Sequence, residues 1–322
     1  MIPPKNDLNI LFAHVAYQMA PRFALRKTGI KHAQAWTREE LDSKIADADV
    51  LVVSGLWRNE LLAKATRLRF IQSIGAGTDQ FARDELVTRK IRLASASGVN
   101  RRAVSEHVMS LIMALARKLP EARDNQAKKF WRGMISDLSQ REDELGGKTL
   151  LIIGLGAIGG RLAQLAKEFD LRVIGIKRDP STGKGEADAV HGMADLKTLL
   201  PQADFVALTC PLTQETENII DAAALAAMKP SAFLINGARG RCVNEAALIE
   251  ALKAKRIAGA AIDVTVEEPL PATSPLWTAD NLFITPHTAG ETRRYEDNVI
   301  DILLDNLGRL GRNDSALRNQ IV

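Results

Sequence analysis

Thr149–Gly160 reads TLLIIGLGAIGG, and the fold turns on how this stretch is read. An apolar run, Leu150–Ile153, meets Gly154, Gly156 and Gly159 in a G-x-G-x-x-G pattern. Ile158, Leu162, Leu165 and Phe169 then recur at steps of four, three and four, which is one face of an amphipathic helix. Strand, tight turn and helix are expected in that order. Gly154 permits the turn, Gly156 leaves room for a pyrophosphate against bare backbone, and Gly159 lets helix and strand pack closely. The phosphates would sit at the helix N-terminus, beside Ala157 and Ile158, where free N–H groups and the positive end of the dipole point outward. Glycine-rich turns occur in many folds. One set between a buried strand and a helix points to a dinucleotide.

At 322 residues the chain is long for one core and sufficient for two domains. Its 46% hydrophobic and 25% charged residues are those of an ordinary soluble globular protein. The net charge of +4 (43 basic minus 39 acidic) is dispersed, without a long Lys/Arg block. Nucleic acid is therefore not an expected partner, while anionic small molecules are compatible with the balance. Only Cys210 and Cys242 are present, which implies no disulfide framework and fits a reducing compartment. The opening MIPPKNDLNI lacks the apolar core of a signal peptide, and no apolar run approaches the roughly 20 residues of a membrane span. A soluble, cytoplasmic protein with no membrane partner is expected, and no metal-ligand set is read.

The first hundred residues alternate apolar runs with helix-like segments. Strands are expected at Asn9–Ala13, Val50–Ser54, Phe70–Ile74 and Arg92–Ala96, and helices at Leu41–Ala46 and Asp79–Thr88. That alternation predicts a parallel α/β sheet. The strand at Phe70 runs into SIGAGTD, where Gly75, Ala76 and Gly77 could turn backbone N–H groups toward a carboxylate or other anion. From Asn100 the period becomes helical, with Val104, Val108, Leu111, Ile112 and Leu115 on one face and Pro120 ending the run. His107, on this helix, is read as structural. A second helical stretch, Glu121–Trp131, leads to the glycine motif. After it come strands at Arg172–Ile176, Asp204–Thr209, Ala232–Asn236, Ile257–Ile262 and Leu282–Thr285, and a long final helix from about Glu291 to Leu310.

Three stretches carry polar groups at strand ends: LINGARGRC with Arg239, AIDVTVEEPLP with Asp263, Glu267 and Glu268, and ITPHTAG with His287. An Arg between Ala238 and Gly240 has little steric cover and can fork two N–H groups onto a carboxylate or carbonyl. In an open α/β sheet, strand ends are where ligands bind.

Taken together, SIGAGTD, AVSEH, GLGAIGG, CPLTQET, INGARG, DVTVEEP and PHTAG resemble, in order and over nearly the whole chain, the D-isomer-specific 2-hydroxyacid dehydrogenases. The resemblance implies two doubly wound parallel-sheet domains. One is a flavodoxin-like catalytic domain of residues 1–100 and 290–322, and the other a Rossmann nucleotide-binding domain of residues 101–289. It implies reduction of a small 2-oxo acid to the D-2-hydroxy acid, with Arg239, Glu268 and His287 as the catalytic set. His287 would donate the proton, and Glu268, hydrogen-bonded to it, would favour the imidazolium. Arg239 would hold the substrate carboxylate and polarise its carbonyl. The backbone of Gly75, Ala76 and Gly77 would take the rest of the carboxylate. Along the cofactor the resemblance places Cys210, Pro211 and Thr216, then Gly237 and Ala238, then Ala289 and Gly290. It gives Asp263 the nicotinamide carboxamide and sets Val104 against that ring. Formate dehydrogenases of the same superfamily carry Gln at the position of Glu268, so proton-coupled chemistry is implied here.

The family's NAD users carry an acidic residue at the end of the second strand. Here that position falls on Lys177, followed by Arg178, and this pair suits a 2′-phosphate. Asp179, within the loose spacing rule, would instead suit a ribose. NADP(H) is favoured and NAD(H) stays open. The closest reading of the activity is glyoxylate/hydroxypyruvate reduction. Two alternatives stay open: a phosphoglycerate dehydrogenase, although the chain ends at Val322 without room for the extra C-terminal domain often found there, and a nucleotide-sensing binding protein of the corepressor type. Selectivity is expected from residues near Leu56, Trp57 and the SIGAG loop, together with the partner subunit. A homodimer through the nucleotide domain is the family's habit.

Overall fold

The computed structural model describes residues 2–322. They form two compact units: residues up to Asn100 with Thr292–Val322, and Arg101–Glu291. The second junction thus follows Glu291 rather than residue 289.

In the first unit β1 (Asn9–Ala13), β2 (Lys31–Ala35), β3 (Val50–Val53), β4 (Phe70–Ser73) and β5 (Arg92–Ala94) are parallel, in the order β2-β1-β3-β4-β5. This is the flavodoxin-like order. The inner strands β3 and β4 are buried along their whole length, as strands covered on both faces must be. Edge strand β2, KHAQA, was not expected from sequence, because its Lys31 and His32 face solvent and it has no apolar alternation. The final helix, Tyr295–Gly311, belongs to this unit and starts later than Glu291. Val299, Ile302 and Leu303 pack with Ile10, Phe12 and Phe70. Two buried polar bonds fix its seat: the Tyr295 hydroxyl donates to the Ile74 carbonyl at 3.0 Å, and Asn306 Nδ2 donates to Gln72 Oε1 at 3.0 Å.

In the second unit β6 (Thr149–Ile153), β7 (Arg172–Ile176), β8 (Ala189–His191), β9 (Phe205–Leu208), β10 (Phe233–Asn236), β11 (Gly259–Ile262) and β12 (Leu282–Ile284) are all parallel. Their order is β12-β11-β10-β9-β6-β7-β8, the doubly wound nucleotide-binding order. Along β6, Leu151 and Ile153 join one core while Leu150 and Ile152 join the other, so each face of the sheet has its own apolar layer. The order reverses between β6 and β9, which opens a crevice at the C-terminal edge.

Two helical details differ from expectation. The helix Ala157–Lys167 buries Gly159, Leu162, Ala163 and Ala166. Ile158 and Leu165 lie only partly buried at the margin of that core, and Phe169, beyond the helix end, is exposed. Small residues face inward because the helix lies close to the sheet: a Cβ on Gly159 would come within 2.4 Å of the Gly154 carbonyl. The preceding helix, Arg101–Ala116, buries Val104, Val108, Leu111, Ile112 and Leu115 as its period requires. Pro120 does not end it. Pro120 stands in the first turn of the next helix, Leu119–Ala127, where a missing N–H leaves no bond unmade. That second helix stops at Ala127, short of Trp131.

Candidate active site

All seven strands of the second unit are parallel, so the loops leaving β6, β7, β9, β10, β11 and β12 share one edge of the sheet. At β6, Gly154 has φ +102°, and a Cβ there would lie 2.5 Å from the Cys210 amide nitrogen. Only glycine fits this turn. A Cβ on Gly156 would meet nothing within 4 Å, so the room beside that residue opens outward. Gly156 also caps the helix Ala157–Lys167 without a side-chain bond, which leaves the first-turn N–H groups of Ala157 and Ile158 directed at an incoming group. Close packing at Gly154 and Gly159 with open backbone at Gly156 fits a dinucleotide pyrophosphate.

After β7, the Lys177 ammonium donates to the Gly183 carbonyl at 3.1 Å, and Arg178 is exposed. The Asp179 carboxylate accepts from the Ser181 hydroxyl at 2.6 Å and the Ser181 N–H at 3.0 Å. These bonds hold its carboxyl below the usual carboxylate range and commit it to its own turn, Pro180–Thr182.

At β9, Thr209 Oγ1 donates to the Gly154 carbonyl at 2.9 Å, tying the two loops together. The Thr216 hydroxyl donates to the Pro211 carbonyl at 2.7 Å and accepts from the Thr213 N–H at 2.7 Å. It therefore shapes the Pro211–Thr216 loop. Cys210 and Cys242 are buried free thiols in contact. The hydrogen bond with Cys242, reinforced by burial, pushes the Cys210 thiol well above its ordinary range. It is packed and unreactive.

After β10, the buried Asn236 clamps the turn from both sides. Its Oδ1 accepts from the Ala238 N–H at 3.0 Å and its Nδ2 donates to the Arg239 carbonyl at 3.0 Å. A Cβ on Gly237 would lie 2.5 Å from Val108, with Val104 next to it, so the helix Arg101–Ala116 presses its Val104 face onto this strand end. Arg239 is exposed, with one guanidinium N–H given to the Ala238 carbonyl at 2.7 Å. The next residue, Gly240, has its backbone against Thr265, where a Cβ would fall 2.0 Å from the Thr265 carbonyl carbon. The loop carrying Arg239 is thereby locked to the loop carrying Glu268.

Asp263, at the end of β11, is buried and ties together the last two strand ends. Its Oδ1 accepts from the Thr285 hydroxyl at 2.6 Å and the Thr288 N–H at 3.1 Å, and its Oδ2 from the Ala289 N–H at 3.0 Å. Burial pushes its carboxyl up, but the nearby His107 ring, 3.4 Å away, and the bonds from Thr285 and Ala289 outweigh burial and hold it below the usual range. The peptide bond Glu268–Pro269 is cis. Glu268 accepts the Thr265 N–H at Oε1, 3.1 Å away, and its Oε2 lies 2.6 Å from His287 Nδ1. His287 has φ +56°, an uncommon conformation for a non-glycine residue. Its N–H is held by the carbonyls of Asp263, at 2.7 Å, and Thr285, at 3.0 Å. An ionised Glu268 only accepts, so Nδ1 carries the hydrogen and Nε2 is left to exchange a proton with a ligand.

Glu268 and His287 are thus in direct contact, with Arg239 one strand over. Val104, Gly237, Ala238, Asp263, Ala289 and Gly290 line the same group of strand ends. Sequence assigns no role to Asn236 or Thr285, and His107, read from it as structural, meets Thr285 and Asp263. Asn236 had a local signal, an Asn ending a strand before Gly237, which favours a bond to the backbone two residues on. Thr285 had none.

In the first unit, β4 leads into Gly75, Ala76 and Gly77. Among the described residues, their N–H groups donate to no protein acceptor, which suits an anion. Leu56 and Trp57, near which selectivity is expected, are themselves buried in the first unit's core, where Trp57 packs on Phe81 and donates its Nε1–H to Asn59.

Residues 109–289 match the family described as D-isomer specific 2-hydroxyacid dehydrogenase, NAD binding domain. A D-3-phosphoglycerate dehydrogenase of Methanocaldococcus jannaschii is 36% identical over 292 residues, covering 89% of this chain and 54% of that protein. The chain therefore spans about half the length of this relative and of a second archaeal phosphoglycerate dehydrogenase. A glyoxylate reductase of Thermococcus litoralis is 36% identical over 285 residues, covering 86% of this chain and 85% of that one. The crystal structure of a D-isomer specific 2-hydroxyacid dehydrogenase family protein from Aeromonas salmonicida superposes with a TM-score of 0.84 at 30% identity, over 98% of this chain and 99% of its own. With similarity of this extent joined to the sheet order and the Glu268–His287 pair, the chain belongs to the D-isomer specific 2-hydroxyacid dehydrogenase family.

Proposed function

We propose that this protein reduces a small 2-oxo acid to its D-2-hydroxy acid, in the manner of a glyoxylate/hydroxypyruvate reductase. The observation that carries the reading is the 2.6 Å contact between His287 Nδ1 and Glu268 Oε2 at the strand edge that also bears Arg239. A bound nicotinamide dinucleotide would supply the hydride to the carbonyl carbon. His287, as the imidazolium, gives its Nε2 proton to the carbonyl oxygen and becomes neutral, while Glu268 stays ionised and keeps the ring oriented. Arg239 fixes the substrate carboxylate and draws electron density from the carbonyl. In the first unit, the backbone N–H groups of Gly75, Ala76 and Gly77 are proposed as donors to an anion. The reverse reaction uses the same groups, with neutral His287 as the base.

The cofactor is proposed to be NADP(H). The support is Lys177 and the exposed Arg178 at the end of β7, together with the commitment of Asp179 to Ser181. NAD(H) would be favoured only if Asp179 left that turn. A homodimer through the second unit is proposed from the apolar surface after Ala127: Trp131 and Met134 are essentially fully exposed, at 94% and 104%. Side chains of this kind mark an association surface. A Trp131→Asp substitution should then yield a monomer by light scattering, and an unchanged mass would remove this support. Among the described residues, no helix is long and apolar enough to cross a membrane. Two free thiols fit the cytoplasm.

The similarity to archaeal phosphoglycerate dehydrogenases favours a second reading, oxidation of 3-phosphoglycerate. Steady-state rates separate the two. Turnover of NADPH with glyoxylate or hydroxypyruvate, faster than with NADH, is expected. Activity confined to 3-phosphoglycerate with NAD would overturn both the substrate and the cofactor assignment.

A further inference from the structure

His107 has no part in the chemistry above. It follows Val104 by three positions on the helix Arg101–Ala116, so the two side chains leave the helix on one face. His107 Nε2 lies 3.0 Å from Thr285 Oγ1 and 3.4 Å from Asp263 Oδ1, and Thr285 Oγ1 lies 2.6 Å from the same Oδ1. Counting protons fixes the direction of this chain. An ionised carboxylate only accepts, so the one hydroxyl proton of Thr285 goes to Asp263. Thr285 Oγ1 can then only accept from His107, and His107 Nε2 must carry a hydrogen. Both the neutral Nε2–H tautomer and the imidazolium meet that condition.

The relay ends on a carboxylate whose acceptor capacity is almost used. Oδ1 takes Thr285 and the Thr288 N–H, and Oδ2 takes the Ala289 N–H. A carboxylate has about four acceptor directions, which leaves one, on Oδ2. We propose that His107 is a positioning residue: acting through Thr285, it fixes the rotation of the Asp263 carboxylate so that the remaining direction of Oδ2 meets the carboxamide of a bound nicotinamide. The inference rests on the dinucleotide reading above. It assigns His107 no contact with cofactor or substrate.

The test compares ligands with and without the nicotinamide. Dissociation constants for NADPH and NADH are measured beside those for ADP-ribose and its 2′-phosphate, which share the adenosine and pyrophosphate but lack the ring. His107→Phe, which removes the donor, should weaken the dinucleotides about tenfold, the size of one lost hydrogen bond, and leave both fragments within about twofold. His107→Gln, which restores an N–H, should recover most of the loss. Thr285→Val, which removes the middle hydroxyl from an equally sized side chain, should repeat the His107→Phe pattern. Equal weakening of fragments and dinucleotides would make His107 merely structural, and dinucleotide affinity unchanged in both His107→Phe and Thr285→Val would remove the relay. Failure of the wild-type protein to bind either dinucleotide would instead overturn the dinucleotide reading, and the relay with it.

Discussion

At the ends of β6 and β7 the protein offers bare backbone and the exposed Arg178, whereas at the ends of β10, β11 and β12 nearly every polar group is held by another. Gly154, Gly156 and the uncapped helix start present N–H groups without side chains. Across the sheet, Asn236 clamps the Arg239 turn, Glu268 holds His287, and Asp263 gathers the Thr285, Thr288 and Ala289 donors. The contrast fits the roles proposed for the two halves. Phosphates are recognised by charge and by N–H groups that the backbone supplies anyway. Moving a proton to a particular oxygen requires an imidazole fixed to within a fraction of an ångström, and a ring on a flexible surface loop would not stay there.

Substitutions in the two halves should therefore fail in different ways. His287→Ala removes the proton donor and should lower kcat by about 10²–10⁴-fold, with dinucleotide affinity retained by titration. Full turnover in that variant would reject its role. Arg239→Ala should cost about 10²–10³-fold in kcat/KM, with both kcat and the KM of the 2-oxo acid affected. A change confined to KM would mean that Arg239 binds the acid without polarising it. In the other half, replacing Lys177 and Arg178 together by Ala should weaken NADPH about 10–100-fold and leave NADH unaltered, the size expected for charge-assisted bonds to one phosphate. Equal loss for both cofactors would place the 2′-phosphate elsewhere. The smallest effect sharpens the comparison within the glycine turn. Gly154→Ala meets the Cys210 backbone at positive φ and should destabilise the fold by about 1–3 kcal/mol in denaturant melts. Gly156→Ala meets no protein atom, so it should melt like the wild type and bind dinucleotide less well. Identical melts for the two variants would contradict the distinction.

The sequence declared the binding half more readily than the catalytic support. Glycines at 154, 156 and 159 report backbone constraints that act within a few residues, so their roles could be read locally. The shared position of Arg239, Glu268 and His287 at one set of strand ends was legible because each stands in a compact motif. What joins them was not. His107 meets Thr285 across 178 positions, and a histidine on an apolar helix face looks alike whether or not a hydroxyl waits opposite. Edge strands β2 and β8 went unseen for another reason: half-exposed strands need no apolar run, and KHAQA has none. The inward face of the helix Ala157–Lys167 was misjudged because proximity to the sheet selects Ala163 and Ala166 over bulkier neighbours. Hydrophobic periodicity cannot see that choice.

The central claim is that this edge transfers a hydride and a proton, and does not only hold a nucleotide. Rapid mixing of the NADPH-loaded protein with excess glyoxylate or hydroxypyruvate, following the absorbance of the bound cofactor, tests it in one turnover. The account predicts oxidation of one equivalent of NADPH per site, with the D-isomer as product where the product is chiral. Bound NADPH that stays reduced across a panel of 2-oxo acids would contradict it and leave a protein that senses the dinucleotide without using it.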